Sequence, residues 1–441
     1  MRKFSLILAL MLSANAADNL ADAFTNGKFS GEIKAWYWDK SDDSSPYKNE
    51  NITNFAIELG YKTDKFYGFY LGTTGQIAFA PIGNEDSKAM YHREQNTKGF
   101  VPSELYLGYN FSKTDIKIGN QYINTPLVGV NGSRIFKESF SGVTINSKYF
   151  NTTTLYAGYA DRFSGRTSAT MNEEMGSEPK FKRRITIGGA TDFSHKFSGL
   201  IWAGLENKSI QNLTLSVQYA FLNGVELEIP RVPTKHGDIN MYYTEASYAI
   251  PLKDAKLKFD LNFRGSKTSG AIKDLNYDGW MLGAMAGVYD LNGFDIYAAA
   301  TTVSSNDSVI MGAGLGSNSY TSLPIRGPFM YTALAGMDSY KFGLAYNFSN
   351  LGAKGLKAIA QYSFTNHDPV NKRAGTLAPN LKREFDGYSL ALNYNLPFLK
   401  GLSASLIYVS LEEERTNMIS GSKTDIDTDE LWLKFGYKFS I

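Results

Sequence analysis

From Lys256 to Arg264 every second residue is apolar: Leu257, Phe259, Leu261 and Phe263 alternate with Lys256, Lys258, Asp260, Asn262 and Arg264. Side chains alternate across a β-strand, so this period gives one oily face and one ionic face. The alternation recurs along the whole 441-residue chain, and its apolar faces are rich in Leu, Phe and Tyr. A soluble sandwich strand shows the same period in a single copy. Repeated this often, with bulky apolar faces, it predicts an all-β fold: a transmembrane antiparallel β-barrel with lipid outside and water inside. Strands are expected near 29–39, 51–62, 67–80, 103–111, 114–121, 142–149, 152–161, 198–206, 211–222, 239–250, 256–265, 279–290, 293–303, 337–349, 356–365, 387–396, 402–411 and 429–441, about 18 in all. A further candidate at 181–190 alternates poorly and is assigned to a loop.

The links between these strands are of two kinds. Asn110 to Thr114, Pro251 to Ala255, Asp290 to Gly293, Ser349 to Gly355 and Pro397 to Gly401 are short and carry Gly, Pro, Asn and Asp, which supply turn geometry. The connections 39–53, 80–101, 161–181, 222–238, 265–278, 303–333, 365–386 and 411–428 are long and polar. Short periplasmic turns and long extracellular loops are the anatomy of a bacterial outer-membrane barrel. A short helix is expected over Asn19 to Phe24. The final strand places Leu431, Leu433, Phe435, Tyr437, Phe439 and Ile441 on one face, a pattern similar to the C-terminal signal read by the outer-membrane assembly machinery. Trp36, Trp38, Trp202, Trp280 and Trp432 fall in or at the ends of strands, where interfacial girdle positions are expected.

Composition narrows the class. Met1-Arg2-Lys3, an apolar run from Phe4 to Leu12, and Ala14-Asn15-Ala16 read as a signal peptide, residues 1–16, which leaves 17–441 as the barrel. The apolar run is far short of the roughly 20 residues of a spanning helix. Removing Arg2 and Lys3 takes the formal charge from +2 to 0, so no cationic excess points to nucleic acid. Cysteine is absent. An exported chain without disulfides must be held by burial and strand pairing.

With the apolar face toward lipid, the other face lines the lumen, because a charge at mid-bilayer costs about 2–4 kcal/mol. This rule directs Glu32, Lys34, Glu58, Glu104, Asp115, Lys117, Gln218, Glu245, Lys258, Asp260, Arg264, Lys341, Lys357, Lys434 and Lys438 inward, where they either brace the barrel by pairing or meet the solute. Residues 122–142 join two strands and carry Leu127, Val128, Ile135 and Phe136, too apolar for an exposed loop. The segment is expected to fold back into the pore as a constriction loop, with Arg134, Lys137 and Glu138 at the narrowest point.

Ile116-Lys117-Ile118-Gly119-Asn120-Gln121, Asn124-Thr125-Pro126-Leu127, Ser133-Arg134 and Phe140-Ser141-Gly142 resemble the strand and constriction loop of OprD-like outer-membrane porins. Leu20 to Gly31 looks like the start of that family, and the likeness is nearest to the porins of the Campylobacter group. The resemblance implies an eighteen-stranded barrel, passive uptake of small and often carboxylate-bearing solutes, a basic ladder along the pore, and homotrimers. It carries over Arg134 as a constriction arginine. The inward set here is mostly Lys with several acids, not a run of Arg, so a weakly selective or cation-preferring pore stays open.

Catalytic chemistry finds little support. His92, His195, His236 and His367 fall in expected loops without the spacing of a triad or metal site. Gly312-Ala313-Gly314-Leu315-Gly316 precedes no helix, so it does not read as a phosphate cradle. Asp425, Asp427, Asp429 and Glu430 could supply oxygens to Ca²⁺, but the glycine of a calcium loop is missing and a solvated acidic face is preferred. No cofactor is expected. The partners are outer-membrane lipid, the assembly machinery, and small hydrophilic solutes and ions. The leading function is a passive diffusion porin of the bacterial outer membrane, with an adhesin or structural surface protein as the alternative.

Overall fold

The computed structural model describes residues 17–47, 50–90, 95–173, 177–228, 233–324, 332–368 and 380–441; the expected signal peptide and His92 lie outside them. A short helix, α1 (Leu20–Thr25), opens the described chain, with the Asn19 side chain accepting from the Asp22 N–H at 2.9 Å as its N-cap. The strands follow as β1 (Lys28–Asp42), β2 (Glu50–Lys62), β3 (Phe69–Ala78), β4 (Gly99–Phe111), β5 (Thr114–Gln121), β6 (Ser139–Phe150), β7 (Thr153–Ser164), β8 (Arg184–Gly188), β9 (Thr191–Lys196), β10 (Gly199–Asn207) and β11 (Leu213–Leu227). They continue as β12 (Lys235–Pro251), β13 (Lys256–Thr268), β14 (Trp280–Leu291), β15 (Phe294–Val303), β16 (Gly312–Ala313), β17 (Met337–Asn347), β18 (Leu356–His367), β19 (Leu381–Asn395), β20 (Leu402–Asn417) and β21 (Lys423–Ser440). Helix α2 (Glu85–Met90) lies between β3 and β4.

Eighteen of these strands close a barrel in which each pairs antiparallel with its neighbours. Strand β7 pairs with β10, β15 with β17, and β21 returns to β1 with Trp38 opposite Trp432. Closure leaves no strand edge without a partner, which is what a sheet in hydrocarbon requires. The outer face keeps the predicted parity. Phe259, Leu261 and Phe263 of β13 and Leu282 of β14, which pairs with Phe263, are all exposed on the outside. Aromatic pairs such as Phe69–Tyr109 and Phe294–Tyr346 sit at the ends of strands beside tight turns.

The structure departs from expectation in several places. Strands β20 and β21 run on as a hairpin through most of 411–428, so that connection is short. The poorly alternating stretch at 181–190 does lie between barrel strands, but it forms strand β8, paired with β9 as a hairpin. His195 lies in β9, His236 in β12 and His367 at the end of β18, none of them in irregular loop. Of the five tryptophans only Trp280 is exposed; Trp36, Trp38, Trp202 and Trp432 face inward and are buried. They form interior packing, not a girdle: Trp36, Trp38 and Trp432 share strand parity with Lys34 or Lys434, and Trp202 packs in the cluster with Leu127 and Val128.

The interior is not uniformly ionic. Three segments fold into the lumen: 122–138, the described residues of 165–198 (which contain β8 and β9) and the described residues of 304–336 (which contain β16). Leu127, Val128, Ile185, Ile187 and Ile310 from these segments pack on Leu200, Trp202, Ala220, Leu222, Ile239 and Met241 of the β10–β12 wall. Both faces of that wall are therefore apolar at this level, lipid outside and loop inside. A second apolar cluster takes Ile135 and Phe136 against Trp38, Ile52, Val409, Leu411 and Trp432. The segment 122–138 is thus pinned to two separate walls.

Candidate functional site

Between those two anchor points the inward segment runs through Asn131 to Arg134, and Arg134 is buried at 6% exposure, as is Arg166 at 8%. Arg134 donates from Nη1 to the Ser133 hydroxyl at 3.0 Å and to the Ser133 carbonyl at 3.4 Å. Arg166, from the neighbouring inward segment, donates to the same hydroxyl at 3.0 Å. Lys434 of β21 brings its ammonium to 3.5 Å from the Ser133 carbonyl. Three cationic side chains thus converge on one serine.

Aromatic rings hold this cluster in place. The Lys434 ammonium lies 3.9 Å from the Trp432 ring centroid, 4.3 Å from Trp36 and 4.9 Å from Trp38. The Arg134 guanidinium lies 5.0 Å from Trp432. The face of an indole is negative, so each contact offsets part of the mutual repulsion and desolvation of the cations. Trp36 is opposite Lys434 in the β1–β21 register, so the cage follows directly from strand pairing.

Below the cluster runs a zigzag of ion pairs. Lys34 meets Glu58 at 3.3 Å; Lys137 meets Glu58 at 2.9 Å and Glu32 at 3.9 Å; Lys438 meets Glu32 at 3.9 Å. Lys34 also donates to the Ile135 carbonyl at 3.1 Å. Further round the wall, Glu104 accepts from Thr74 at 2.7 Å, Asp115 accepts from the Tyr70 hydroxyl at 2.7 Å, and Lys117 lies 4.6 Å from the Tyr106 ring. Asp115 and Lys117 open onto a cavity of about 760 Å³ that also includes Lys113, Asn124 and Tyr156. On the β13–β18 side, Lys258 pairs with Asp260 at 2.8 Å and Lys357 with Asp295 at 2.7 Å.

Several residues expected to meet lumen water instead tether the inward segments. Arg264 is buried and donates to the carbonyls of Met311 at 3.0 Å and Pro126 at 3.3 Å. Gln218 accepts from the Leu127 N–H at 2.8 Å. Lys341 is buried and donates to the Ser322 carbonyl at 2.9 Å. Glu245 accepts from the Tyr320 hydroxyl. Lys34 and Asp260 are also buried. A charged group enclosed by protein must find partners, and backbone carbonyls of an inward loop are what the lumen offers. Glu138, expected at the pore's narrowest point, is fully buried.

Sequence reasoning missed Arg166 and the three-tryptophan cage. The cage was accessible, since Trp36, Trp38 and Trp432 have the inward parity of Lys34 and Lys434. Arg166 lies in an irregular segment where no parity exists. Asp425, Asp427 and Asp429 do not converge with Glu430, which faces inward and accepts the Trp432 indole N–H at 2.6 Å. Among the described residues no group of three or more His, Cys, Asp or Glu is arranged to hold a metal ion.

The comparisons agree with this anatomy. The family model described as outer membrane porin, OprD family, matches residues 83–441. Porin D of Pseudomonas aeruginosa is 29% identical over 177 residues, a match that covers 39% of this chain and only 34% of that relative. Among solved structures, Pseudomonas aeruginosa OccK8 (OprE) superposes with a TM-score of 0.72 at 16% identity, covering 95% of this chain and 99% of the other. Pseudomonas aeruginosa OpdK, solved with vanillate, gives 0.71 at 15% identity, covering 95% and 100%. At such identities the superpositions speak for the fold. The family match covers most of the chain and the closed barrel accounts for the rest: this protein is a member of the OprD family of outer membrane porins.

Proposed function

We propose that the chain forms a non-enzymatic, water-filled pore for passive diffusion of small hydrophilic solutes, with a preference for anions and carboxylate-bearing nutrients. The observation that carries this reading is the convergence of Arg134, Arg166 and Lys434 on Ser133. On β13 and β15, Asp260 and Asp295 are each paired with a lysine. Three cations gathered at one level of the passage attract anions and orient a carboxylate. The vanillate in the OpdK structure, itself a carboxylate, fits the same preference.

Within this reading the cluster of Arg134, Arg166 and Lys434 acts on the solute through its field, and Lys137, Glu32, Glu58 and Lys438 form the path beyond. The leader 1–16 directs export, the C-terminal strand is the segment read by the assembly machinery, and the barrels associate as homotrimers. The nearer kinship to Campylobacter-group porins belongs to the same proposal. The test is recording from purified protein in planar bilayers. Discrete conductance steps with an anion-favouring reversal potential are expected. A silent protein refutes the pore, and a cation-favouring potential refutes the assigned preference.

A further inference from the structure

Glu138 stands among three chain segments instead of among solutes. It is fully buried. Its Oε2 accepts the Asn131 N–H at 3.1 Å and the Leu315 N–H at 2.8 Å, and its Oε1 accepts the Thr186 hydroxyl at 3.1 Å. Asn131 belongs to the constriction loop, Leu315 to the segment 304–336, and Thr186 to β8. Around the carboxylate the same segments are joined by backbone bonds. Ala313 donates to the Leu127 carbonyl at 2.8 Å, Gly314 to Thr186 at 2.8 Å and Met311 to Gly188 at 2.7 Å.

An enclosed carboxylate is costly unless donors surround it. Here the donors come from each of the three segments, so the carboxylate is satisfied only when all of them are in place. The geometry points to Glu138 as the positioning residue that fixes the inward segments in one arrangement and, through them, sets the width of the pore. This rests on the porin reading above and goes beyond it, because it assigns a charged residue of the constriction loop to the loop's own architecture.

Two substitutions separate this role from an electrostatic one. Glu138→Gln removes the charge but can keep three bonds: its amide oxygen takes the two backbone N–H groups, and its NH₂ donates to a Thr186 hydroxyl turned to accept. Glu138→Ala leaves the Asn131 and Leu315 N–H groups without that acceptor. A staple supplies a rescue. The chain has no cysteine, and Val128 and Ala313 form a parallel bridge between two of the segments, so Val128→Cys with Ala313→Cys gives the only thiol pair.

The experiment is single-channel recording of the wild type and these variants, each first shown to be a heat-modifiable barrel. Glu138→Ala is expected to raise conductance roughly twofold with frequent substates, as when a loop that narrows a pore is released. Glu138→Gln should match the wild type in conductance and reversal potential. Thr186→Val, which removes one of the three donors, should fall between. Oxidised staple in the Glu138→Ala background should restore wild-type conductance, and reduction should undo it. Unchanged conductance in Glu138→Ala, or a reversal-potential shift in Glu138→Gln, overturns the assignment. A silent wild type refutes the porin reading itself before any variant is compared.

Discussion

Replacing Arg134 by Gln should move the pore's selectivity toward cations. The Arg134 Nη1 and the Lys434 ammonium lie 3.4 Å and 3.5 Å from the same Ser133 oxygen, which puts the two charges within about 7 Å of each other. An anion passing about 6 Å from the guanidinium gains about 0.7 kcal/mol at the dielectric of water and about 2.8 kcal/mol at an effective value near 20. A narrow wet passage lies between these limits, and salt at about 0.1 M screens over about 10 Å. An intermediate figure of about 1 kcal/mol corresponds to about fivefold in anion occupancy. The assay is the reversal potential across a roughly tenfold KCl gradient, where the anion-to-cation permeability ratio should fall by about that factor. The shift should shrink as the mean salt concentration rises. Arg134→Lys keeps the charge and should leave the ratio near the wild-type value. If Arg134→Gln gives the wild-type reversal potential at low salt, the guanidinium does not act on the ion path and the reasoning fails.

Other consequences are equally specific. Burial of His195 lowers its pKa to about 4, with Glu228 opposing and Arg184 reinforcing the shift. The packed hairpin therefore favours the neutral ring. Its packing is at full strength above about pH 6.5 and weakens as the pH falls toward 4, by about 2 kcal/mol at pH 5. Hydrogen exchange of the β8–β9 amides should report this loss, and equal protection at pH 7 and pH 5 would refute it. Gly314 has φ +79°, and a Cβ there would collide with the Gly129 carbonyl oxygen. Gly314→Ala should cost about 1–3 kcal/mol of loop packing, read as increased proteolysis of the inward segments in an otherwise heat-modifiable barrel. Leu261 faces lipid, and Leu261→Arg should destabilise the folded barrel by about 2–4 kcal/mol in lipid-based denaturant titration if the site lies near the midplane. A neutral result would place β13 away from hydrocarbon.

Much of the fold was legible because lipid contact imposes its cost residue by residue. Each outward position of β13 must be apolar whatever its partner, so Phe259, Leu261 and Phe263 declare their face without knowledge of the rest of the chain. The eighteen barrel strands, the tight turns and the parity of Lys434 followed from that local rule. The interior follows no such rule. Leu200-Ile201-Trp202 and Ala220-Phe221-Leu222 are apolar on both faces, a sign that something covers the wall from inside, but the covering segment cannot be named from the run itself. Gly312, Gly314 and Gly316 mark a place where two backbones come close, and the partner, Leu127 to Val130, lies far away in sequence.

The candidate site divides along the same line. Register with β1 put Trp36 and Trp38 around Lys434, and that was open to inference from strand parity alone. Whether Arg264 and Lys341 face water or bind loop carbonyls depended on how far each inward segment reaches across the closed barrel. The same holds for Glu138, whose three donors come from segments brought together only by closure. Sequence by itself determined the lipid-facing side of the wall, because transfer to hydrocarbon acts on each side chain singly. Tertiary structure alone decided which inward charges remain in the passage, because desolvation inside the barrel depends on what else has folded into it.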